Sequence, residues 1–368
     1  MKILHFSDSH LWISLENTLR EEDFYQNFER VINEIIKIKP DFVIHSGDLF
    51  HTSKPSNKAI SVVVENFLKL EKLSIKTIII AWNHDTPRLS TTTHPFEIFQ
   101  SLKDFYVYFE PKIQKISFWN INIITLPHIH DENIFLGDFL KSKELLEIWK
   151  INIFVSHFGI SAQEYDEYTD EISWVNITIE QLQLLKSFDY VALGHYHKQF
   201  CIKNMCYPWS WEHTSFNQKD YKIGYNLFDT DSKKIELFQT SSRKMFDLWI
   251  IDCSDFENTL DLIEYLDKNL DKSNLKWSII KIVLENIKTH FLLEFQEKIL
   301  LDFFKVTFYF EYKKIRYIDI KSTWSKIIDN WNIILDNFFD FFDKYELQDK
   351  KINKKELKEN LANLISKI

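Results

Sequence analysis

Five short clusters of aspartate, asparagine and histidine each follow an apolar run that is typical of a β-strand. Carboxylate, amide and imidazole groups in this mixture suit manganese, iron or zinc better than calcium or magnesium alone. The candidate metal ligands are Asp8, His10, Asp48, Asn83, His157, His195 and His197. Seven ligands are too many for one ion and fit two ions that share a carboxylate. Two such ions can hold the attacking and leaving oxygens of a phosphoryl displacement.

Each cluster on its own is weak evidence for a site. A lone His-x-His is more often a pair on one strand face than a metal site, and Gly-Asp marks many plain turns. Because all five clusters occur in this order and each follows an apolar run, they favour a functional site over a purely structural interpretation.

The elements that must position these ligands alternate between strands and helices. Strand character is found in the runs KILHF, DFVIHS, TIIIA, INIFVS and YVALG, and residues 21–39 carry apolar side chains at helical spacing. The segment KISFWNINIITLP predicts a hairpin with Trp119 and Asn120 at its tip. Since open α/β sheets place ligands at the carboxyl ends of their strands, we predict a layered α/β domain with the ligands at one edge.

A second block of mixed strands and helices, without ligand clusters, follows this domain. We therefore predict three regions: an enzymatic domain at 1–242, a small α+β domain at 243–320 and a helical segment at 321–368. Within the last region, helical periodicity favours two amphipathic helices at about 321–343 and 353–367.

Composition and charge narrow the class of protein. A chain of 368 residues with 45% hydrophobic and 27% charged residues predicts a soluble globular protein of two or three domains. The net charge of −9 argues against a generally basic nucleic-acid coat protein but is compatible with a local basic groove. Because the chain begins without a signal-peptide pattern and no apolar run is long enough to span a bilayer, we expect a cytoplasmic location.

Several cysteines and histidines are expected to have no role in the chemistry. The cysteines have neither a zinc-ligand spacing nor an even number for disulfides, and we predict free thiols in a reducing compartment for Cys201, Cys206 and Cys253. His45 lies within a predicted strand and is expected in the core. His128 and His130 are expected on a surface loop.

The motif order D-x-H, GD, NHD, H and GH-x-H resembles that of the calcineurin-like metallophosphoesterases. The longer stretches HFSDSHLW, GDLFHTSKPS, WNHD, ALGHYHKQF and YPWSWEHTSF are similar to those of the SbcD-type DNA double-strand-break repair nucleases. This resemblance covers most of residues 1–240. It implies an α/β fold, a four-layer sandwich of two mixed β-sheets flanked by helices, with a small α+β capping domain and C-terminal helices.

The resemblance also implies how the ligands divide between two divalent ions, with Mn²⁺ as the expected metal. One ion would be held by Asp8, His10 and His197. The other would be held by Asn83, His157 and His195, with Asp48 bridging both.

Three further residues have catalytic roles by the same resemblance. His84 would face the phosphate and either stabilise the charged transition state or protonate the leaving oxygen. Asp85 would orient the His84 imidazole, and His51 would lie near the scissile phosphate. For Asp85 and His51, structural support of the site is an alternative of equal weight.

DNA as the substrate and an SbcC-type ABC ATPase as the partner are also implied. The region 243–320 would cap the metal site and bind DNA, and aromatic residues of 321–368 would dock on the ATPase or pack on the capping domain. Family members often form a homodimer through the first domain, and no membrane association is implied. Two alternatives are a phosphodiesterase acting on small phosphoesters and a catalytically weak subunit that assembles its ATPase on DNA.

Tryptophan occupies several positions where this family has glycine. The chain holds 11 tryptophans and 5 glycines, whereas glycine makes up about 7% of an ordinary protein. Trp12, Trp82 and Trp209 stand at family glycine positions, and Trp119 stands at a hairpin tip, where glycine suits the backbone. We hypothesise that UGA encodes glycine in the source organism and that this sequence was translated with UGA as tryptophan. The alternative is a diverged protein with genuine tryptophans.

Overall fold

A computed structural model describes residues 1–12, 20–89, 91–163, 165, 174–208 and 212–316. The described residues fall into two compact units. The first comprises the described residues of Met1–Asp247, Asp271–Lys281 and Phe304–Phe310, and the second comprises Leu248–Leu270, Ile282–Phe303 and the described residues from Glu311 to Arg316. The helices predicted at 321–343 and 353–367 lie outside the described residues, as does Trp209. The division of the chain at residues 242 and 320 stays a prediction.

The first unit contains two six-stranded mixed sheets. In spatial order the first sheet consists of β14 (Ile235–Gln239), β13 (Gly224–Asp229), β1 (Lys2–Phe6), β2 (Phe42–His45), β3 (Lys76–Ile80) and β4 (Phe105–Tyr108). Strands β1 to β4 are parallel, whereas β13 pairs antiparallel with both β1 and β14. The parallel strands bring their carboxyl ends to one edge of the sheet, and Asp8, Asp48 and Asn83 follow these ends in the sequence.

The second sheet has the same mixed character. In spatial order it consists of β11 (Phe200–Ile202), β12 (Met205–Tyr207), β10 (Tyr190–Gly194), β7 (Ile151–His157), β6 (Ile121–Thr125) and β5 (Gln114–Ser117). The four inner strands are parallel and the two edge strands are antiparallel. A separate two-stranded parallel sheet pairs β8 (Gly159–Ile160) with β9 (Asn176–Ile177).

Apolar side chains pack on both faces of each large sheet. Between the sheets lie residues from both, including Ile44, Ile78, Ile123 and Val155. Helices α1 (Glu21–Ile38) and α2 (Asn57–Lys72) cover the outer face of the first sheet, and α3 (Glu132–Lys141) covers the outer face of the second. Short 3-10 helices lie at Pro95–Ser101, Ser142–Leu145, Gln181–Ser187 and Phe216–Gln218. Two mixed sheets flanked by helices are the predicted fold class, which is confirmed.

The strand and helix predictions for this unit are confirmed in detail. The five apolar runs form β1, β2, β3, β7 and β10, and the helix predicted at 21–39 is α1. Three acidic residues in the first turn of α1 interact favourably with the helix dipole, and its apolar stripe, including Phe28 and Ile32, is buried. The helix ends at Lys39, whose left-handed backbone (φ 50°) comes just before Pro40.

The predicted hairpin is also confirmed. Strands β5 and β6 pair antiparallel, and the N–H of Phe118 donates to the carbonyl of Ile121 at 2.7 Å. Trp119 and Asn120 therefore form a two-residue tip between the strands, and the Trp119 side chain is 96% exposed.

Cys201 and Cys206 form a disulfide, so the prediction of free thiols at these two positions is wrong. The residues face each other across the antiparallel pair of β11 and β12. Strand pairing decides which cysteines come within bonding distance, and a sequence separation of 5 does not reveal it. Cys253 is a buried free thiol, as predicted.

The remaining elements mix strands and helices. A three-stranded sheet has the order β15 (Met245–Asp252), β16 (Ile279–Ile287) and β17 (Tyr309–Arg316), and the boundary between the units falls within each strand. The helices of this part are α4 (Thr259–Asn269), α5 (Lys272–Leu275), α6 (Thr289–Leu293) and α7 (Glu297–Phe303). Across the described ranges, none of the helices combines the length and the apolar character that a bilayer span requires.

Candidate metal centre

Two loops of the first sheet are joined by backbone hydrogen bonds at the candidate centre. Asp8 and His10 follow β1, and Asp48 follows β2. The N–H of Asp8 donates to the carbonyl of Gly47, and the N–H of His10 donates to the carbonyl of Asp48, both at 3.0 Å. All three ligand candidates are fully buried, so the chain brings two carboxylates and an imidazole together below the surface.

Four of the predicted ligands have a left-handed backbone. They are Asp8 (φ 50°), His10 (φ 40°), Asp48 (φ 56°) and His195 (φ 103°). For residues other than glycine this conformation costs about 1–2 kcal/mol each, because the Cβ atom crowds the following carbonyl oxygen. Such strain is concentrated at functional sites, where the surrounding structure holds it in place.

The side chains converge in three groups whose ligand atoms lie within 4.8 Å of one another. The groups are Asp8–His10–His197, Asp8–Asp48–His157 and His10–His51–His84. The Nε2 atom of His157 lies 3.6 Å from Asp8 Oδ1 and 3.4 Å from Asp48 Oδ2. The Nε2 atoms of His10 and His197 are 3.2 Å apart. Asp8 belongs to the first two groups and therefore joins them.

His157 is held in position through its other ring nitrogen. Its Nδ1 lies 2.9 Å from the carbonyl oxygen of Ser46, which can only accept, so the ring proton is on Nδ1 and Nε2 faces the two carboxylates. Two glycines leave room for the ring. A Cβ at Gly47 would lie 2.6 Å from His157 Nδ1, and one at Gly194 would lie 2.5 Å from it.

His195 and Asn83 complete the set of predicted ligands. The backbone N–H of His195 donates to the Asp8 carboxylate at 3.0 and 3.3 Å, and its ring centroid is 5.7 Å from that of His157. Asn83 follows Trp82 in the loop after β3 and lines a cavity beside His84. The structure therefore brings six of the seven candidates together by direct distances and places Asn83 in the adjoining cavity.

The same cavity contains the two histidines with predicted catalytic roles. The Nδ1 of His84 lies 2.8 Å from the carbonyl oxygen of His51, so this nitrogen donates and fixes the ring. The His84 ring is 5.1 Å from the His10 ring and stacks on the His51 ring at 5.2 Å. The cavity has a volume of about 470 Å³, and its basic lining residues are Lys54 and Arg88.

Asp85 holds the loops of the centre together. Its buried carboxylate accepts hydrogen bonds from the backbone N–H groups of Trp82, Asp48, Leu49 and Phe50, at 3.1, 3.0, 3.3 and 2.8 Å. Burial raises the pKa of the Asp85 carboxyl, while the backbone donors and His84 act in the opposite direction. These contacts favour the structural alternative considered for Asp85, in which it supports the ligand loops.

The sequence profile described as calcineurin-like phosphoesterase matches residues 1–199. This range includes every predicted ligand and the three residues with predicted catalytic roles. The chain belongs to the calcineurin-like phosphoesterase family. The resemblance drawn from the sequence motifs is thereby confirmed.

Curated members of this phosphoesterase family resemble the chain over much of its length. A "DNA double-strand break repair protein Mre11" from Methanocaldococcus jannaschii is 30% identical over 281 residues, which is 72% of this chain and 73% of the relative. A protein of the same description from Sulfurisphaera tokodaii is 33% identical over 53% of this chain and 49% of the relative. An SbcCD nuclease subunit from Staphylococcus epidermidis is 26% identical over 64% of this chain and 67% of the relative.

The donor set of this phosphoesterase domain fits divalent metal ions. Buried carboxylates are costly without a positive partner, and the ligand atoms grouped with Asp8 and Asp48 within 4.8 Å include imidazole nitrogens that could share a metal ion with them. Carboxylate and imidazole together are the ligands of manganese, iron and zinc. These aspartate and histidine groups could therefore hold divalent ions.

Of the other histidines in the phosphoesterase domain, one differs from its predicted position. His128 is 2% exposed, so its predicted place on the surface is wrong, whereas His130 is exposed as predicted. The His128 ring packs against Trp82 at 5.3 Å, and burial lowers its pKa to about 3. His45 is fully buried and bonds to Ser9 at 3.0 Å, which confirms its place in the core.

Sequence reasoning missed two residues that contact the ring nitrogens of candidate ligands. The carbonyl of Ser46 bonds to His157, and the side chain of Gln218 lies 3.1 Å from His197 Nδ1. Ser46 stands directly before Gly47-Asp48, so a loop that folds back at this glycine was a usable signal. Gln218 lies 21 residues after His197 in a stretch without any metal-type cluster, and nothing in the sequence marked it.

The tryptophans at family glycine positions have different environments. Trp82 is 1% exposed, and its ring stacks on His157 with centroids 5.0 Å apart. Trp12 has a left-handed backbone (φ 75°), as does Trp277 (φ 60°), which is 63% exposed. A left-handed backbone suits glycine, so Trp12 supports the glycine hypothesis directly, and Trp277 adds a position that the motifs did not single out.

Proposed function

We propose that this chain is the nuclease subunit of a DNA double-strand-break repair complex. It would hydrolyse phosphodiester bonds of DNA with two divalent ions, most simply Mn²⁺, and work with an SbcC-type ABC ATPase. The observation that carries this proposal is the convergence of Asp8, Asp48 and four imidazoles at one edge of the paired sheets. A cytoplasmic location without membrane attachment is part of the same proposal.

The ligands would divide as the family resemblance implies. One ion would be held by Asp8, His10 and His197, and the other by Asn83, His157 and His195, with Asp48 between them. When bound, such ions lower the pKa of a water and neutralise charge on the phosphate. The bond from His157 Nδ1 to Ser46 presents Nε2 to the site, which is how an outer hydrogen bond orients a metal-binding imidazole.

His84 would act on the phosphate itself. Because its Nδ1–H donates to the His51 carbonyl, Nε2 is the remaining ring nitrogen, and it can donate to a phosphate oxygen or protonate the leaving oxygen when the ring carries a second proton as imidazolium. His51 would position His84 through this bond and by stacking on its ring. Asp85 would keep the Asp48 loop and the Asn83 loop at a fixed separation through its four backbone contacts.

DNA as the substrate is supported by the relatives and by the cavity. The relatives are described as double-strand-break repair proteins and as part of a nuclease. Lys54 and Arg88 line the cavity next to Asn83 and His84, and can contact phosphates on either side of the bond that is cut. The region 243–320 would add further DNA contacts, and the segment 321–368 would bind the ATPase.

A degradation assay on linear duplex DNA with Mn²⁺ tests this proposal. The unchanged chain and its glycine-restored form (Trp82→Gly with Trp209→Gly) should be compared with His84→Ala in each background. We expect Mn²⁺-dependent loss of duplex DNA that His84→Ala reduces by about 100-fold or more, since one acid or electrostatic group contributes on this scale. His130→Ala, an exposed histidine outside the centre, is the matched control and should have no effect.

A small phosphate bis-ester in the same assay separates the alternatives. Hydrolysis of the bis-ester without cleavage of DNA would replace the nuclease proposal with a small-molecule phosphodiesterase. Binding of an SbcC-type ATPase without hydrolysis of either substrate by the glycine-restored form would indicate that the chain serves in assembly.

A further inference from the structure

Gln218 is a buried side chain in contact with a candidate metal ligand. It ends the 3-10 helix Phe216–Gln218 and is 1% exposed. Its Nε2 lies 3.1 Å from His197 Nδ1, and its Oε1 lies 2.8 Å from both the backbone nitrogen and the hydroxyl of Thr214. The chain just before it is anchored by Arg20, which pairs with Glu212 at 2.8 Å.

Thr214 fixes which end of the amide faces His197. A backbone N–H can only donate, so the atom 2.8 Å from the Thr214 nitrogen must be the oxygen of the amide. The NH₂ group of Gln218 is therefore the end that points at His197 Nδ1. If the amide were turned over, its NH₂ group would meet the N–H of Thr214, and two donors would face each other.

This orientation determines where the ring proton of neutral His197 lies. Because Nδ1 accepts from the Gln218 amide, the proton is on Nε2. Nε2 is also the atom that faces the centre, 3.2 Å from His10 Nε2 and 3.9 Å from Asp8 Oδ1. The proton thus occupies the position from which His197 would bind an ion.

His157 provides the contrast within the same centre. Its Nδ1 faces a carbonyl oxygen, so its proton is on Nδ1 and its Nε2 carries a lone pair for a metal ion. For His197 to bind through Nε2, its proton must move to Nδ1, where the NH₂ group of Gln218 opposes it. The alternative is that the Gln218 amide rotates and gives up its bonds to Thr214.

We propose that Gln218 is a positioning residue that weakens the hold of His197 on one of the two ions. The inference rests on the proposed metal centre and goes beyond it by making the two ions unequal. A carboxylate at this position would accept from Thr214 with one oxygen and from His197 Nδ1–H with the other. Gln218→Glu should therefore tighten the binding of the ion held by Asp8, His10 and His197.

Titration of the metal-free full chain with Mn²⁺, followed by calorimetry and by the electron paramagnetic resonance signal of free Mn²⁺, tests this. We expect Gln218→Glu to bind one of two ions at least about tenfold more tightly, since outer hydrogen bonds change metal affinity by about 10–100-fold. The second ion should bind as before. Asn217→Asp is the control, because it makes the same amide-to-carboxylate change at the adjacent exposed position.

Equal affinity in the parent and in Gln218→Glu would overturn the inference and leave the metal centre intact. An equal gain in Asn217→Asp would also overturn it, because general charge would then explain the effect. Failure of both the unchanged parent chain and its glycine-restored form to take up Mn²⁺ would end both the inference and the proposed function.

A second measurement needs no variant. Histidine labelled with ¹⁵N allows the protonated nitrogen of each neutral ring to be identified by nuclear magnetic resonance. In the metal-free chain we expect the proton of His197 on Nε2 and that of His157 on Nδ1. A proton on Nδ1 of His197 would overturn the inference even if Gln218→Glu fails to fold.

Discussion

Asp8, His10, Asp48 and His195 have a left-handed backbone at the metal centre, and Trp12 and Trp277 have it outside the set of ligands. In the first set, the proposed ligand role requires a specific side chain at each position, and hydrogen bonds between the loops hold the strained backbone. In the second set, no chemistry requires tryptophan, and Trp277 is largely exposed. The same conformation thus coincides with candidate ligands in one region and is unexplained by the side chain in the other.

This difference separates two kinds of selection on a sequence. Where a side chain is selected, the chain carries the residue that its family motif requires. At two family glycine positions the chain carries tryptophan instead, Trp12 and Trp82, whereas Gly47 remains glycine at φ 102°. A change in the reading of one codon would produce this pattern, whereas random divergence would affect both kinds of position.

The largest effect is expected at a ligand with a strained backbone. Asp48→Asn should lower Mn²⁺ affinity by more than about 100-fold, because a buried anionic candidate ligand is removed. Loss of a residue that only hydrogen-bonds to a ligand lowers metal affinity by about 10–100-fold. The chelated protein should at the same time melt at a higher temperature, since Asp8 would no longer face a second buried carboxylate. Calorimetric titration and thermal melts measure both, with the exposed Asp231→Asn as control. Unchanged Mn²⁺ affinity would show that position 48 is not a ligand.

Trp82 tests whether a tryptophan at a family glycine position impairs the site. If glycine is the native residue, Trp82→Gly with Trp209→Gly should raise Mn²⁺-dependent DNA cleavage by about tenfold or more, which corresponds to about 1.4 kcal/mol in the barrier. The reason is that the ring now stacked on His157 would no longer constrain that ligand. Cleavage rates of the paired variants on linear duplex DNA measure the effect.

If Trp82 is a genuine tryptophan, the same change should instead destabilise the protein. Replacing a buried tryptophan by a small residue should lower the free energy of unfolding by about 3–5 kcal/mol, without any gain in cleavage. Mass spectrometry of the protein isolated from its source would settle the matter directly, because a tryptophan in the peptide spanning position 82 contradicts the glycine hypothesis.

A smaller effect is expected at Trp277. Trp277→Gly should raise the free energy of unfolding by about 1 kcal/mol, because glycine adopts φ 60° without the crowding that tryptophan suffers. Urea unfolding followed by circular dichroism measures the change. A loss of stability would mean that side-chain contacts of Trp277 outweigh the strain of its backbone.

The smallest effect is expected at Trp119. Its side chain is 96% exposed and its backbone is not left-handed, so Trp119→Gly should change the free energy of unfolding by less than about 0.5 kcal/mol. The same unfolding experiment serves as the measurement. A gain as large as that at Trp277 would show that backbone strain is not what distinguishes the two positions.

The fold of the first unit was largely predictable because apolar runs and turn residues are local signals. The five strands that precede the ligands, helix α1 and the hairpin at Trp119 all agree with the sequence patterns. The cross-strand partner of Cys201 was not predictable, since it depends on how β11 pairs with β12. His128 was misplaced because its burial depends on packing against Trp82, a residue 46 positions earlier in the chain.

The convergence of the candidate ligands was predictable from the sequence, whereas their supporting contacts were not. Each ligand ends or follows a strand, which a sequence pattern can reveal, as for Asp8 and His157. Supporting contacts join distant segments: Asp85 bonds to the backbone of the Asp48 loop, and Gln218 bonds to His197. Because backbone donors carry no side-chain signature, the role of Asp85 could be seen only in three dimensions.

The carboxylate of Asp85 ties two loops together before any ion arrives. Its four backbone bonds set the spacing between the segments that carry Asp48 and Asn83. Ion capture would then require little ordering of the chain, so most of the binding free energy would remain as affinity. Repeated removal and return of the metal should therefore leave this part of the protein folded.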